Sequence, residues 1–127
     1  MFAFFGLVAT AGTSYAVGDA IGAVAWWGGA AVGAWACALL AVNNARDLVT
    51  DAAAGKRTVA VRLGDRGARR WYVALVLAGF ACALAASASA PWAALALLGA
   101  PLALGPVRAV LGGAEGARMI EIGRAHV

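Results

Sequence analysis

Asn43-Asn44-Ala45-Arg46-Asp47-Leu48-Val49-Thr50-Asp51, followed by Gly55-Lys56-Arg57-Thr58-Val59-Ala60-Val61-Arg62-Leu63-Gly64, is a polar island in an apolar chain. Alanine, glycine, valine, leucine and tryptophan make up most of what surrounds it. Two carboxylates stand four residues apart directly after a long apolar run, and a lysine and several arginines follow. Charge gathered in this way marks the end of a membrane span, a chemical site, or both.

Composition decides the class. The 127 residues are 64% hydrophobic and 13% charged, with a mean hydropathy of +0.84. Soluble domains are roughly 45–50% apolar and about 25% charged. The composition therefore predicts an all-α, polytopic transmembrane helix bundle. Seventeen glycines and abundant alanine suit close helix packing in lipid. Cys37 and Cys82 both lie in apolar runs, which fits neither a disulfide framework nor a zinc site. The net charge of +4 is concentrated in one segment, not spread along a face. No nucleic-acid partner is expected from it.

Four apolar runs are legible. The first, Phe2 to Val17, lacks a basic n-region and a cleavage site, so it does not read as a cleaved signal peptide. Its length is a little under the ~20 residues a span requires. Thr10, Thr13, Ser14 and Tyr15 lie within it and are expected to face other helices or a cavity. Gly18-Asp19-Ala20 reads as a solvated turn. The second run, Ile21 to Val42, carries Trp26 and Trp27 at headgroup level and a G-x-x-x-G pair, Gly29 and Gly33, as a packing face. A central loop, Asn43 to Arg70, holds seven of the ten basic residues and is expected to be cytoplasmic. The third run is Trp71 to Ser87; the fourth starts at Pro91, reaches about Leu111, and is expected to kink at Pro101.

The chemistry follows from the island. If the second helix extends into it, Asp47 and Asp51 fall at i and i+4 and project from one face. Their repulsion is relieved by a divalent cation, and Mg²⁺ is typically held by one or two carboxylates with phosphates and waters. Asn43 and Asn44 can add carbonyl ligands or orient the carboxylates. Arg46, Lys56 and Arg62 offer positive charge to phosphate oxygens. Gly55 permits a tight turn before Lys56. An isolated D-x-x-x-D is common on exposed helices and says little alone. The paired asparagines, the Gly-Lys and the position at a membrane span raise it to a candidate metal–diphosphate site.

Asn-Asn-x-Arg-Asp-x-x-x-Asp followed by Gly-Lys-x-Thr-x-Ala-Val-Arg-Leu-Gly resembles the second aspartate-rich motif of the intramembrane aromatic prenyltransferase (UbiA-like) family. Phe4-Phe5-Gly6 and Gly12-Thr13-x-Tyr15 are similar to that family's fifth helix, and the resemblance runs from about residue 2 to about residue 118. It implies a nine-span bundle in a bacterial plasma (inner) membrane, of which about four spans are in this chain. Two aspartate-rich motifs face each other there, and Mg²⁺ bridges them to a polyprenyl diphosphate. Ionisation of that diphosphate gives an allylic cation, which an aromatic acceptor attacks. By this resemblance Asp47 and Asp51 are metal ligands, and Arg46, Lys56 and Arg62 contact diphosphate. Asn43 and Asn44 support the site, and Tyr15 either lines the cavity or packs. The motif is most similar to the branch whose acceptor is 1,4-dihydroxy-2-naphthoate, in menaquinone biosynthesis. A sister transferase acting on 4-hydroxybenzoate or another acceptor stays open, as does a small non-enzymatic four-span membrane protein.

The family's first motif would precede Met1 and is not in this chain. Residues 1–120 are thus expected to be part of a transmembrane prenyltransferase domain, without activity on their own. Glu121-Ile122-Gly123-Arg124-Ala125-His126-Val127 matches the translation of a common sequencing adapter. Residues 121–127 are therefore expected to be a non-native tail, and His126, the one histidine, is given no role.

Overall fold

The structure is a computed structural model that describes residues 1–113. The tail expectation, and the far end of the expected domain, lie outside the described residues. Every element is helical, with no strand among the described residues. A π-helical segment, Phe2–Val8, runs into α1 (Ala9–Gly18). Next come α2 (Ala23–Arg46), a short α3 (Leu48–Ala53) and α4 (Val59–Ser87). A 3-10 segment, Pro91–Gly99, leads into α5 (Ala100–Leu111). Three stretches are long and apolar enough to cross a membrane, namely Ala23–Arg46, Val59–Ser87 and Pro91–Leu111, and the apolar Phe2–Gly18 is shorter.

Small residues hold the helices together. The buried face of α2 is Ala25, Gly29, Ala31, Gly33, Ala34, Ala38 and Ala41, while Trp26, Trp27, Val32 and Leu39 are exposed. That is the pattern of a helix that packs through its small side chains and turns its large ones to lipid. The Gly29/Gly33 face works as expected: a Cβ on Gly6 would lie 2.7 Å from the Gly33 Cα, so the π-helical segment rests backbone to backbone on α2. On α4, Ala68, Tyr72, Val76, Gly79, Ala83 and Ala86 form the matching stripe. Trp35 seats its indole over Gly79, where a Cβ would meet the ring, and meets Phe80 edge to face with centroids 5.3 Å apart. Ala38, Ala41, Tyr72 and Val76 join Val110 of α5 in one core.

Three expectations are corrected. Most of the predicted loop between 43 and 70 is helical. α2 continues through Asn43–Arg46, and α4 begins at Val59, where the Thr58 hydroxyl accepts the Val61 N–H at 3.3 Å. Hydropathy marks where a membrane ends, whereas capping decides where a helix ends. α4 is nonetheless broken at Gly64, whose φ of 69° is left-handed. The expected kink at Pro101 is instead a change from 3-10 to α geometry, with Pro101 in the first turn of α5 and Pro106 inside it. In a first turn the missing proline N–H would have had no partner anyway. Thr13 and Ser14 bond backbone carbonyls of their own region, Ala9 at 2.8 Å and Ala20 at 2.9 Å, rather than another helix. The Asp19 turn is as expected, with φ 51° and its N–H bonded to the Tyr15 carbonyl.

Candidate functional site

The polar island folds as a helix end, a six-residue helix and a tight turn. Asp47 closes α2 and opens α3 with φ −91° and ψ 9°, so the helix bends there rather than continuing. Asp51 follows one turn later, its N–H 2.8 Å from the Asp47 carbonyl. After Ala53 the chain turns back through Gly55, at φ 71°. The Gly55 N–H bonds the Ala52 carbonyl at 3.1 Å and the Lys56 N–H bonds the Asp51 carbonyl at 2.9 Å. This pair of bonds is a Schellman cap, which needs a left-handed residue where Gly55 stands.

The cap delivers Lys56 to Asp51. Its Nζ donates to Asp51 Oδ1 at 2.9 Å, and Asp51 is a buried carboxylate, 8% exposed. A buried carboxylate requires such a partner. Asp47 is half-exposed and takes a forked pair of hydrogen bonds from Arg46, Nε to Oδ1 at 2.9 Å and Nη2 to Oδ2 at 3.1 Å. The Arg46 guanidinium holds the Asp47 carboxyl below the usual carboxylate range, and Lys56 adds to this. The Asp51 carboxylate beside Lys56 holds that ammonium above the usual lysine range.

The structure thus brings Asp47, Asp51, Arg46 and Lys56 together, but each carboxylate has its own cation. Arg62 lies on the exposed side of α4's first turn, with no ion pair among the described residues. Asn43 is exposed and Asn44 half-buried, and the Asn43 carbonyl accepts the Asp47 N–H at 3.1 Å. Tyr15 is exposed on α1 and lines neither cavity described below. As a donor set the two aspartates fit Mg²⁺: hard oxygens one helical turn apart, each with lone pairs beyond those its cation uses. No third carboxylate, histidine or cysteine joins them among the described residues.

Two cavities lie between the helices, and one of them reaches the motif. One, of about 410 Å³, lies between α2 and α4 and has Asn44, Val59 and Ala60 in its wall. The other, of about 1150 Å³, is an apolar groove between α2, α4 and α5, bounded by Trp35, Tyr72 and Phe80. Sequence reading missed both, since a cavity belongs to two helices and neither helix shows it alone. It also missed Asp65 and Arg69, an i,i+4 pair on α4 whose arginine reaches the Val110 carbonyl.

An all-helical bundle of membrane-crossing length, with a paired-aspartate turn and its own cations at one end, is a polytopic membrane protein with a polar site at the lipid boundary. The model of the UbiA prenyltransferase family matches residues 1–118, and the chain belongs to that family. Three curated relatives are each named 1,4-dihydroxy-2-naphthoate octaprenyltransferase. The protein of Mycobacterium tuberculosis is 42% identical over 118 residues, covering 91% of this chain and 40% of the relative. That of Mycobacterium leprae is 38% identical, with the same coverage of both. That of Escherichia coli is 33% identical over 85% of this chain and 36% of the relative. The chain spans about two fifths of the length of these relatives. No solved structure matches it.

Proposed function

We propose that this chain supplies the second aspartate-rich half of a site that transfers a polyprenyl group from its diphosphate to 1,4-dihydroxy-2-naphthoate. The observation that carries the reading is the Asp47–Arg46 and Asp51–Lys56 cluster at a membrane-helix end, in a chain whose family is one of prenyltransferases. The acceptor is taken from the names of the relatives.

In the transfer, the bond between the allylic carbon and the diphosphate oxygen breaks, and that carbon bonds to a ring carbon of the acceptor, which gives up its proton or carboxyl group. Negative charge gathers on the departing diphosphate. Arg46 and Lys56 are cations held in reserve on carboxylates, able to turn to diphosphate oxygens, and Arg62, exposed in the first turn of α4, is the third cation of the motif. Asp47 and Asp51 would hold Mg²⁺, with Asn43 and Asn44 in support. Mg²⁺, when bound, supplies further charge neutralisation at the diphosphate. The Asn43–Arg70 end, with most of the basic residues, faces the cytoplasm of a bacterial inner membrane.

Grafting residues 1–118 into the Mycobacterium tuberculosis relative, in place of the matching stretch, tests this. The graft should transfer octaprenyl groups to the naphthoate in a Mg²⁺-dependent way. Asp47→Ala or Asp51→Ala should lower transfer by more than the ~10–100-fold typical of lost supporting residues around a metal. Near-normal transfer by either variant would remove its metal role. Transfer to 4-hydroxybenzoate alone would reassign the acceptor.

A further inference from the structure

The outward face of α4 changes character along its length. Arg66, Arg70, Leu77 and Leu84 stand at i, i+4, i+11 and i+18, one stripe of the helix, and all four are exposed. The opposite face, with Ala68, Tyr72, Val76, Gly79 and Ala83, is the buried one. The Cα atoms of the two arginines are about 6 Å apart along the axis, and the leucines continue the stripe for about 21 Å beyond Arg70. It lies wholly beyond the break at Gly64 and contains no residue of the candidate site. Neither arginine has an ion pair among the described residues. Asp65, the carboxylate next to Arg66, is held by Arg69 at 2.7 Å, so the charge of that pair is cancelled and the charge of the stripe is not. Trp71 is exposed and follows Arg70, which sets the arginines at headgroup depth, where tryptophan collects.

We propose that this stripe is a docking surface for an anionic phospholipid, with the phosphate straddled by Arg66 and Arg70 and one acyl chain lying along Leu77 and Leu84. Charge complementarity commits the face to that occupant. Two guanidiniums one turn apart can share the oxygens of a single phosphodiester, and a zwitterionic lipid offers that group only beside its own cation. A free phosphate would meet the arginines and leave the leucines unused. Another helix would meet large side chains, whereas the contacts within this bundle run through alanine and glycine. A prenyl diphosphate needs a carboxylate-held metal, and Asp65, the only acid of α4, is already taken by Arg69. The surface is separate from the transfer reaction and does not depend on it.

Native mass spectrometry of the full 127-residue chain in neutral detergent, titrated with dioleoylphosphatidylglycerol or dioleoylphosphatidylcholine, tests this. The phosphatidylglycerol should bind at least about tenfold more tightly, as two arginines at an anionic surface provide. Equal binding of the two lipids overturns the proposal. Arg66→Gln combined with Arg70→Gln should erase the preference. Arg57→Gln combined with Arg108→Gln removes the same charge from exposed positions off the stripe and should keep it. Loss of the preference in both pairs, or in neither, overturns the proposal, as does displacement of the lipid by inorganic phosphate. If the unmodified chain is a dimer that the Arg66 and Arg70 substitutions split, a second copy covers the face and the proposal fails. A trace of phosphatidylglycerol with a diazirine in its acyl chain, in phosphatidylcholine nanodiscs, needs no variant. Its adducts should fall on Leu77–Leu84 and be suppressed by unlabelled phosphatidylglycerol but not by added phosphatidylcholine. Adducts confined to Pro91–Leu111 also overturn the proposal.

Discussion

Lys56 is bound twice to Asp51: its Nζ lies 2.9 Å from the Asp51 carboxylate and its backbone N–H 2.9 Å from the Asp51 carbonyl. The second bond exists because Gly55 turns the chain with a positive φ. A residue with a Cβ in that conformation costs roughly 1–2 kcal/mol. Gly55→Ala should therefore lower the stability of the detergent-solubilised chain by about that amount. In the grafted enzyme it should also weaken prenyl diphosphate binding, because Lys56 loses its position. Gly55→Asn should recover much of both, since asparagine tolerates this cap. Thermal unfolding of the three proteins decides it. Equal stability of all three would mean that the turn forms without help from Gly55.

Gly6 and Gly12 lie on the same apolar segment but differ in what a methyl would meet. At Gly6 a Cβ would run into the backbone of Gly29 and Gly33; at Gly12 nothing lies within 4 Å. Backbone cannot move aside as a side-chain tip can. Gly6→Ala should cost about 1–3 kcal/mol, as overpacking does. Gly12→Ala should be neutral or slightly stabilising, since alanine is the better helix former. Comparing the thermal midpoints of the two variants checks this, and equal loss in both would contradict the close approach.

The two glycines also show how much could be read ahead of the structure. Composition and the G-x-x-x-G pair indicated a small-residue packing face, because helices in lipid associate through such surfaces. Which segment would rest on it was not legible, since Gly6 is 23 positions away from Gly29 in the sequence. The candidate site was legible as a set of residue types. Its internal pairing was not: the D-x-x-x-D spacing does not say which cation each carboxylate takes, Arg46 for Asp47 and Lys56 for Asp51. The extent of α4 was hidden for another reason. Arginines mark a membrane boundary, yet an Asp65–Arg69 pair and a Thr58 cap carry the helix past it.

The pH response of the turn follows from its two ion pairs. Asp47 has a depressed carboxyl pKa, so its pairing is present above the ordinary carboxylate range and is lost as pH falls through the lower folded value. Lys56 has a raised pKa, so its pairing is present below the ordinary lysine range and is lost as pH rises through the higher folded value. Both pairs are therefore intact across the neutral region. Hydrogen exchange at the Lys56 amide, corrected for its intrinsic pH dependence, should show constant protection there and a drop at either extreme. A step in protection near neutrality would show that another group controls the turn.

Arg69 joins two helices across 41 residues, donating to the Val110 carbonyl in the last turn of α5 while it pairs with Asp65. That carbonyl belongs to the turn whose acceptors have no partner within the helix. Val110 is also the one buried residue of α5, 3% exposed and packed into the core with Ala38, Ala41 and Tyr72. Val110 is thus the residue of α5 that is both buried in the core and hydrogen-bonded to α4, while Ala103 and Val107 pack against the same core. A hydrogen bond to a charged group contributes about 1.5–3 kcal/mol. Arg69→Gln should lose stability in that range and raise hydrogen exchange over residues 108–112. Arg70→Gln is the control, because Arg70 is exposed and has no ion pair among the described residues. If both substitutions loosen α5 equally, the effect is one of general charge at the membrane boundary and not of the Arg69–Val110 contact. If only Arg69→Gln does, the guanidinium holds the helix in place.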